Sequence, residues 1–250
     1  MVCSQQSEAG FFAFGSYLFS HIRKVLVQFR PIDQGRQRAK PVYGNVFMAD
    51  QSNIHPEFQR QVPRDQKEKL LSQRGLVIWL YGLSGSGKST IANALERHLH
   101  DSGRLVAMLD GDNLRAGLNS NLGFTDEDRC ENIRRVAEMA KAVVRTGAIV
   151  LVSVITPREA FRKSAREIIG DDDFLEVYVK ASFETCRQRD VKGLYDKAEA
   201  GKIANFTGQA SAFEEPAHAD IVLNTEEHSL EACLEQLLTI VTPRVTLQQA

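Results

Sequence analysis

The chain has 250 residues, enough to bury a full core, and its 43% apolar and 25% charged content is that of an ordinary globular protein. A formal net charge of −1, with acids and bases well mixed, excludes a broad basic field for nucleic acid or an anionic membrane, so any bound anion needs local positive charge. Cys3, Cys130, Cys186 and Cys233 form no C-x-x-C pair and have no His at ligand spacing, which argues against a disulfide framework or zinc site and for a reduced, cytoplasmic compartment.

No apolar run reaches the roughly 20 residues needed to span a bilayer. Residues 11–19 are apolar, but the basic residues Arg23, Lys24 and Arg30 follow them, the reverse of a secretion signal. Residues 1–47 show no clean period and gather Pro31, Gly35, Pro41 and Gly44, so they read as a loosely ordered extension. Met48 is a candidate start of translation, with residues 1–47 then coming from an over-extended reading frame; intact mass of the native protein distinguishes the two. Residues 48–74 form a lead-in, and residues 75–245 the domain.

From Gly75 onward, apolar runs alternate with amphipathic stretches. Residues 76–81, 105–109, 148–154, 174–179 and 220–223 are short and rich in β-branched side chains, as strands buried on both faces are. Residues 89–100, 129–146, 158–169 and 230–241 carry helical spacing. This alternation predicts right-handed βαβ units: a three-layer α/β/α fold of the P-loop type around a five-stranded parallel sheet.

Gly82-Leu83-Ser84-Gly85-Ser86-Gly87-Lys88-Ser89-Thr90 matches G-x-x-x-x-G-K-[ST], with a predicted strand before it and a predicted helix after it. Glycines let the backbone turn its N–H groups toward phosphate oxygens, and the helix start adds partial positive charge. Lys88 is expected against the β- and γ-phosphates of ATP, and the Ser89 hydroxyl on Mg²⁺. A chance match in a Gly/Ser-rich turn is the alternative, and the strand–loop–helix context weighs against it.

The second strand ends in Leu109-Asp110-Gly111-Asp112-Asn113-Leu114-Arg115. In a parallel sheet this end faces the same crevice as the loop, so Asp110 could accept a proton from an attacking hydroxyl or help hold Mg²⁺. Asp112 and Asn113 could cap the next helix instead. Arg129, Asn132 and Ile133 share a helical face, suited to an anionic acceptor or simply solvated. Residues 190–212, polar and with glycines near both ends, read as a lid, with a surface loop as the alternative.

The runs GLSGSGKST, LDGDNLRAGLNSNLGFTDEDRCENIRRVAEMAK and RDVKGLYDKAEAGKIANFTG closely resemble adenylylsulfate kinase over roughly residues 53–241. The resemblance implies transfer of the ATP γ-phosphoryl group to the 3′-hydroxyl of adenosine 5′-phosphosulfate (APS), within sulfate activation. It implies that Asp110 engages that hydroxyl and Mg²⁺, and that Arg115, Arg129 and Asn132 hold the phosphosulfate and sugar. Phe124 and Phe206 would sandwich the acceptor's adenine, although either could be core packing. Ile155, Lys192 and Leu194 would complete the acceptor site, Lys192 approaching phosphate or sulfate, and Arg189 would meet the donor nucleotide. A homodimer and a separate ATP sulfurylase upstream are implied as well.

The family's usual I-S-P-[aromatic or His]-R is here Ile155-Thr156-Pro157-Arg158-Glu159. Thr156 occupies the position of a serine often described as a phosphorylated intermediate, yet positioning and charge neutralisation suffice for direct in-line transfer. Glu159 stands where an Arg is usual, unless Arg158 reaches the same spot, and is expected to point away or pair with a neighbouring Arg. Gln209-Ala210-Ser211-Ala212-Phe213-Glu214 replaces I-D-S-x-Y-E. The rival readings are a P-loop kinase for another small alcohol, and a nucleotide-binding regulator without catalysis.

Overall fold

The computed structural model describes residues 55, 57, 60–190, 193–201, 207 and 212–247. The readings of residues 1–47, Lys192 and Phe206 lie outside the described residues. Apart from His55, the described residues belong to one compact unit, Pro56–Ala250.

Five strands, β1 (Val77–Tyr81), β2 (Val106–Asp110), β3 (Ile149–Ser153), β4 (Phe174–Lys180) and β5 (Ile221–Asn224), form one sheet in the order β2-β3-β1-β4-β5. All pairings are parallel. The five-stranded parallel sheet predicted from the alternation is therefore present, with strand ends within a residue of those expected.

The strands are mostly apolar, and the central ones β1 and β3 are buried along their whole length, because helices cover both faces. Along β1, Ile78 and Leu80 enter one core cluster, while Val77, Trp79 and Tyr81 enter the other. That is the two-residue alternation of a strand. The first cluster receives Ile91, Leu95 and Leu99 from α2 (Lys88–Asp101) and Leu237 and Val241 from α8 (Leu230–Val245). The second receives Ile133, Val136 and Ala140 from α4 (Asp126–Val144), and Phe161 and Ala165 from α5 (Glu159–Ile169). Each fully buried Leu, Ile, Val or Phe side chain among these contributes about 1.5–3 kcal/mol.

Four short helices were not legible as periodic stretches: α1 (Arg64–Leu71), α3 (Gly111–Ala116), α6 (Phe183–Arg189) and α7 (Leu194–Glu199). None exceeds 8 residues, too short to show an apolar stripe. The helix predicted from residue 129 begins earlier, at Asp126, because the Thr125 hydroxyl accepts the Asp128 N–H at 3.2 Å. α1 is fixed below the sheet by Arg64, which donates to the Gly75 carbonyl at 2.9 Å and pairs with Asp173. Gln73 donates to the carbonyls of Gly147 (2.8 Å) and Leu105 (3.0 Å). No described helix is long and apolar enough to cross a membrane.

Candidate active site

A cavity of about 750 Å³ opens at the carboxyl ends of the strands. The loop from Gly82 to Ser89 forms one wall. Gly82 (φ 148°) could not carry a side chain, since a Cβ there would lie 2.3 Å from the Val179 carbonyl oxygen. Gly87 takes φ 102° as it hands the chain to α2. Ser84, Gly85, Gly87, Lys88, Ser89 and Thr90 line the cavity. Leu83 and Ser86, the other side chains of the loop, are buried.

No acidic side chain occupies the first turn of α2, leaving its N–H groups and partial positive charge for an anion. Lys88 is buried and donates to the Leu83 carbonyl at 2.7 Å. Arg189, the last residue of α6, reaches the same loop, donating to Thr225 Oγ1 (3.0 Å), the Thr225 carbonyl (2.8 Å) and the Gly85 carbonyl (3.4 Å).

The donor loop and the end of β2 meet at Ser89, whose hydroxyl donates to Asp110 Oδ2 at 3.0 Å. Its other neighbour is Ser153 Oγ at 3.1 Å. Ser153 pairs in register with Asp110 and was missed by the sequence reading. Its place at the carboxyl end of a central strand was the available signal. Asp110 also accepts the Asp112 N–H at 3.0 Å and caps α3. The cap expected from Asp112 or Asn113 is thus Asp110 itself, while Asp112 is exposed at the rim.

Ser89, Asp110 and Ser153 present only hard oxygen donors. Among the described residues no group of three or more His, Cys, Asp or Glu could cage a metal. One carboxylate and a hydroxyl suit Mg²⁺, which keeps several waters and takes its other ligands from substrate phosphates.

Arg115, Phe124, Arg129, Asn132 and Ile133 line the opposite end of the cavity. Arg115 donates to the Gly123 carbonyl at 2.8 Å and lies 4.5 Å over the Phe124 ring, which is 55% exposed. Arg129 donates to the Phe124 carbonyl at 3.1 Å and to Thr207. Asn132 accepts from Asn119 at 3.0 Å. Burial draws the Arg115 guanidinium below the usual arginine range. Arg129 shifts the same way through burial, and nearby Arg115 and Arg158 push it further against the pull of Asp126. Buried cations so arranged favour an incoming anion.

Ile155, Thr156 and Pro157 line the middle. Thr156 is buried and takes φ 43°, a left-handed conformation costing a β-branched residue about 1–3 kcal/mol. Its hydroxyl accepts the Trp79 indole N–H at 3.0 Å. Arg158 pairs with Asp126 at the start of α4, and with Glu214 at 3.6 Å, so it is committed to two carboxylates. Glu159 is exposed, its N–H donating to Glu214 at 2.8 Å. Residues 209–211 of the unusual segment lie outside the described residues; at its end Phe213 stacks on Tyr178 with centroids 5.9 Å apart, and the Glu214 N–H donates to the Pro157 carbonyl.

The start of the predicted lid lies over the donor loop. Asp190 accepts the N–H groups of Leu194 (2.8 Å) and Tyr195 (3.2 Å), setting the entry to α7. Leu194 lines the cavity, and Tyr195, also missed from sequence, donates its hydroxyl to the Ser84 carbonyl at 2.8 Å.

Comparison with known proteins agrees with this geometry. The family model for adenylylsulphate kinase matches residues 74–224. An adenylyl-sulfate kinase of Bacteroides fragilis is 52% identical over 199 residues, 80% of this chain and 98% of that protein. A probable adenylyl-sulfate kinase of Bacillus subtilis is 46% identical over 185 residues, 74% of this chain and 94% of that protein. The APS kinase of Mycobacterium tuberculosis, solved in complex with AMPPNP and APS, superposes with a TM-score of 0.65 at 41% identity, covering 68% of this chain and 98% of that one. The chain belongs to the adenylylsulfate kinase family.

Proposed function

We propose that this chain transfers the γ-phosphoryl group of ATP to the 3′-hydroxyl of APS, giving 3′-phosphoadenosine 5′-phosphosulfate and ADP. One observation carries the residue assignment: Lys88 and Ser89 share a single cavity with Asp110, and the Arg115–Phe124–Arg129–Asn132 group closes its far end. Lys88 and the loop amides grip the β- and γ-phosphates, and Arg189 meets the donor nucleotide. Asp110 accepts the proton of the attacking hydroxyl, with the acceptor held in line by Arg129 and Asn132. Phe124 offers the acceptor's adenine an aromatic face, its partner on the other side being Phe206. Lys192 completes the grip on the phosphosulfate. Ser89 and Asp110 would hold Mg²⁺ together with ATP, and the metal would supply neutralisation of the phosphate charge. Family resemblance supports a homodimer and a separate ATP sulfurylase as source of the acceptor.

Transfer is direct in this reading. The Thr156 hydroxyl is already engaged by a buried indole, which leaves it poorly placed to attack phosphorus. Thr156→Val, nearly isosteric, should strand the Trp79 N–H and destabilise the fold by about 1–3 kcal/mol while turnover stays within roughly tenfold. A stoichiometric phospho-Thr156 species that passes its phosphate to acceptor defeats direct transfer.

Thermal shift combined with an ADP-release assay tests the whole assignment. APS should raise the melting temperature of the ADP-bound protein, whereas gluconate and nucleosides should not. Release of ADP should depend on APS. Equal turnover with an unrelated small alcohol would favour another P-loop kinase activity.

A further inference from the structure

Thr156 carries a branched side chain in a backbone conformation that glycine adopts freely. Two buried groups hold it there. Trp79, fully buried in β1, donates to its hydroxyl, and Arg162 of α5 donates through Nη1 to its carbonyl at 3.3 Å. Arg162 is 3% exposed. Its Nε lies 3.6 Å from Glu176, and its guanidinium sits 5.0 Å over the Tyr81 ring. Nη2 has no hydrogen bond among the described residues. For stability alone an apolar side chain would serve as well, because a buried ion pair roughly breaks even against a hydrophobe of similar volume. Glu176 would not be stranded by that exchange, since Arg166 reaches it at 3.1 Å.

The turn held in this way joins the two halves of the site. On one side, the Ile155 carbonyl accepts the N–H of Gly82, the first residue of the donor loop, at 3.2 Å. On the other, Arg158 pairs with Asp126 in the first turn of α4, the helix that carries Arg129 and Asn132.

We propose that Arg162 is a positioning residue for phosphoryl transfer: reaching up from the core, it clamps the left-handed Thr156 turn and so fixes the spacing between donor loop and acceptor helix. The proposal rests on the kinase reading above. A shift of about an ångström between reacting groups can cost a hundredfold even when its cause lies away from the chemistry.

Trp79 is the only tryptophan of the chain, and its indole N–H bonds to Thr156, so its emission reports on the turn. In the full-length protein, Arg162→Met should remain folded and lose roughly tenfold to a hundredfold in kcat. Its KM for ATP should stay within about twofold, and its tryptophan emission should shift. Adding Thr156→Gly, which needs no clamp to keep a positive φ, should restore most of the lost turnover. Should Arg162→Met fold poorly, Arg162→Lys keeps the charge without the fork and should show the same kcat loss and emission shift in weaker form. Wild-type kcat in a folded Arg162→Met protein overturns the proposal. So does a kcat loss with unshifted emission that Thr156→Gly fails to recover. If the wild-type chain consumes no ATP with APS, the kinase reading fails, and the emission of Arg162→Met without substrate still decides whether the clamp exists.

Discussion

Replacing Lys88 by alanine is expected to lower kcat at least a hundredfold in an ADP-release assay with saturating APS. Lys88 opens α2 and is buried against the donor loop, where its ammonium already sits 2.7 Å from a loop carbonyl. Against a phosphate about 4 Å away at an effective dielectric near 20, that charge is worth about 4 kcal/mol. A tenfold change in rate corresponds to about 1.4 kcal/mol, so a hundredfold loss needs about 2.8 kcal/mol, roughly two thirds of this interaction. The fold should survive, because α2 is held by Ile91, Leu95 and Leu99 in the core. Retained turnover in a folded Lys88→Ala protein would remove the lysine from the chemistry.

Asp110→Asn should be comparably severe, with a kcat loss of about 10²–10⁴-fold, since it removes both the proton acceptor and an anionic ligand for the metal. The amide oxygen can still accept the Asp112 N–H, so α3 keeps its cap. Asp110→Ala abolishes the cap as well and should lose a further increment of stability, about 1 kcal/mol. Measuring both variants separates the two roles of one side chain. If Asp110→Asn turns over normally while Asp110→Ala is merely less stable, Asp110 is a cap and nothing more.

The sequence reading reached the sheet and the donor loop because both are written locally. β1 is an unbroken apolar run, β3 is apolar up to Ser153, and the phosphate loop occupies nine consecutive positions. Asp110 and the Arg129–Asn132 face were legible by the same logic, one from its place at a strand end and the other from helical spacing. What escaped depends on partners far apart in the chain. Trp79 meets Thr156 across 77 residues, Ser89 meets Ser153 across 64, and Tyr195 meets Ser84 across 111. No local pattern marks such pairs, and Trp79, Ser153 and Tyr195 alone read as ordinary core or loop. Arg162 illustrates the difficulty: on a helix facing the sheet it would pass for a solvated charge, yet it is among the most buried polar residues described. Glu159 was expected to turn from the site or pair with an arginine. It is exposed, with Arg158 taken up by Asp126 and Glu214 instead.

Helix α1 is pinned by Arg64 to Asp173 and to the Gly75 carbonyl, next to the amino ends of β4 and β1. The catalytic cleft lies at the carboxyl ends, on the opposite rim. Leu70, 84% exposed on this helix, therefore offers an anchoring point remote from substrate traffic. An enzyme tethered to a solid support through that position would present its mouth to the bulk solution, with nucleotides free to come and go.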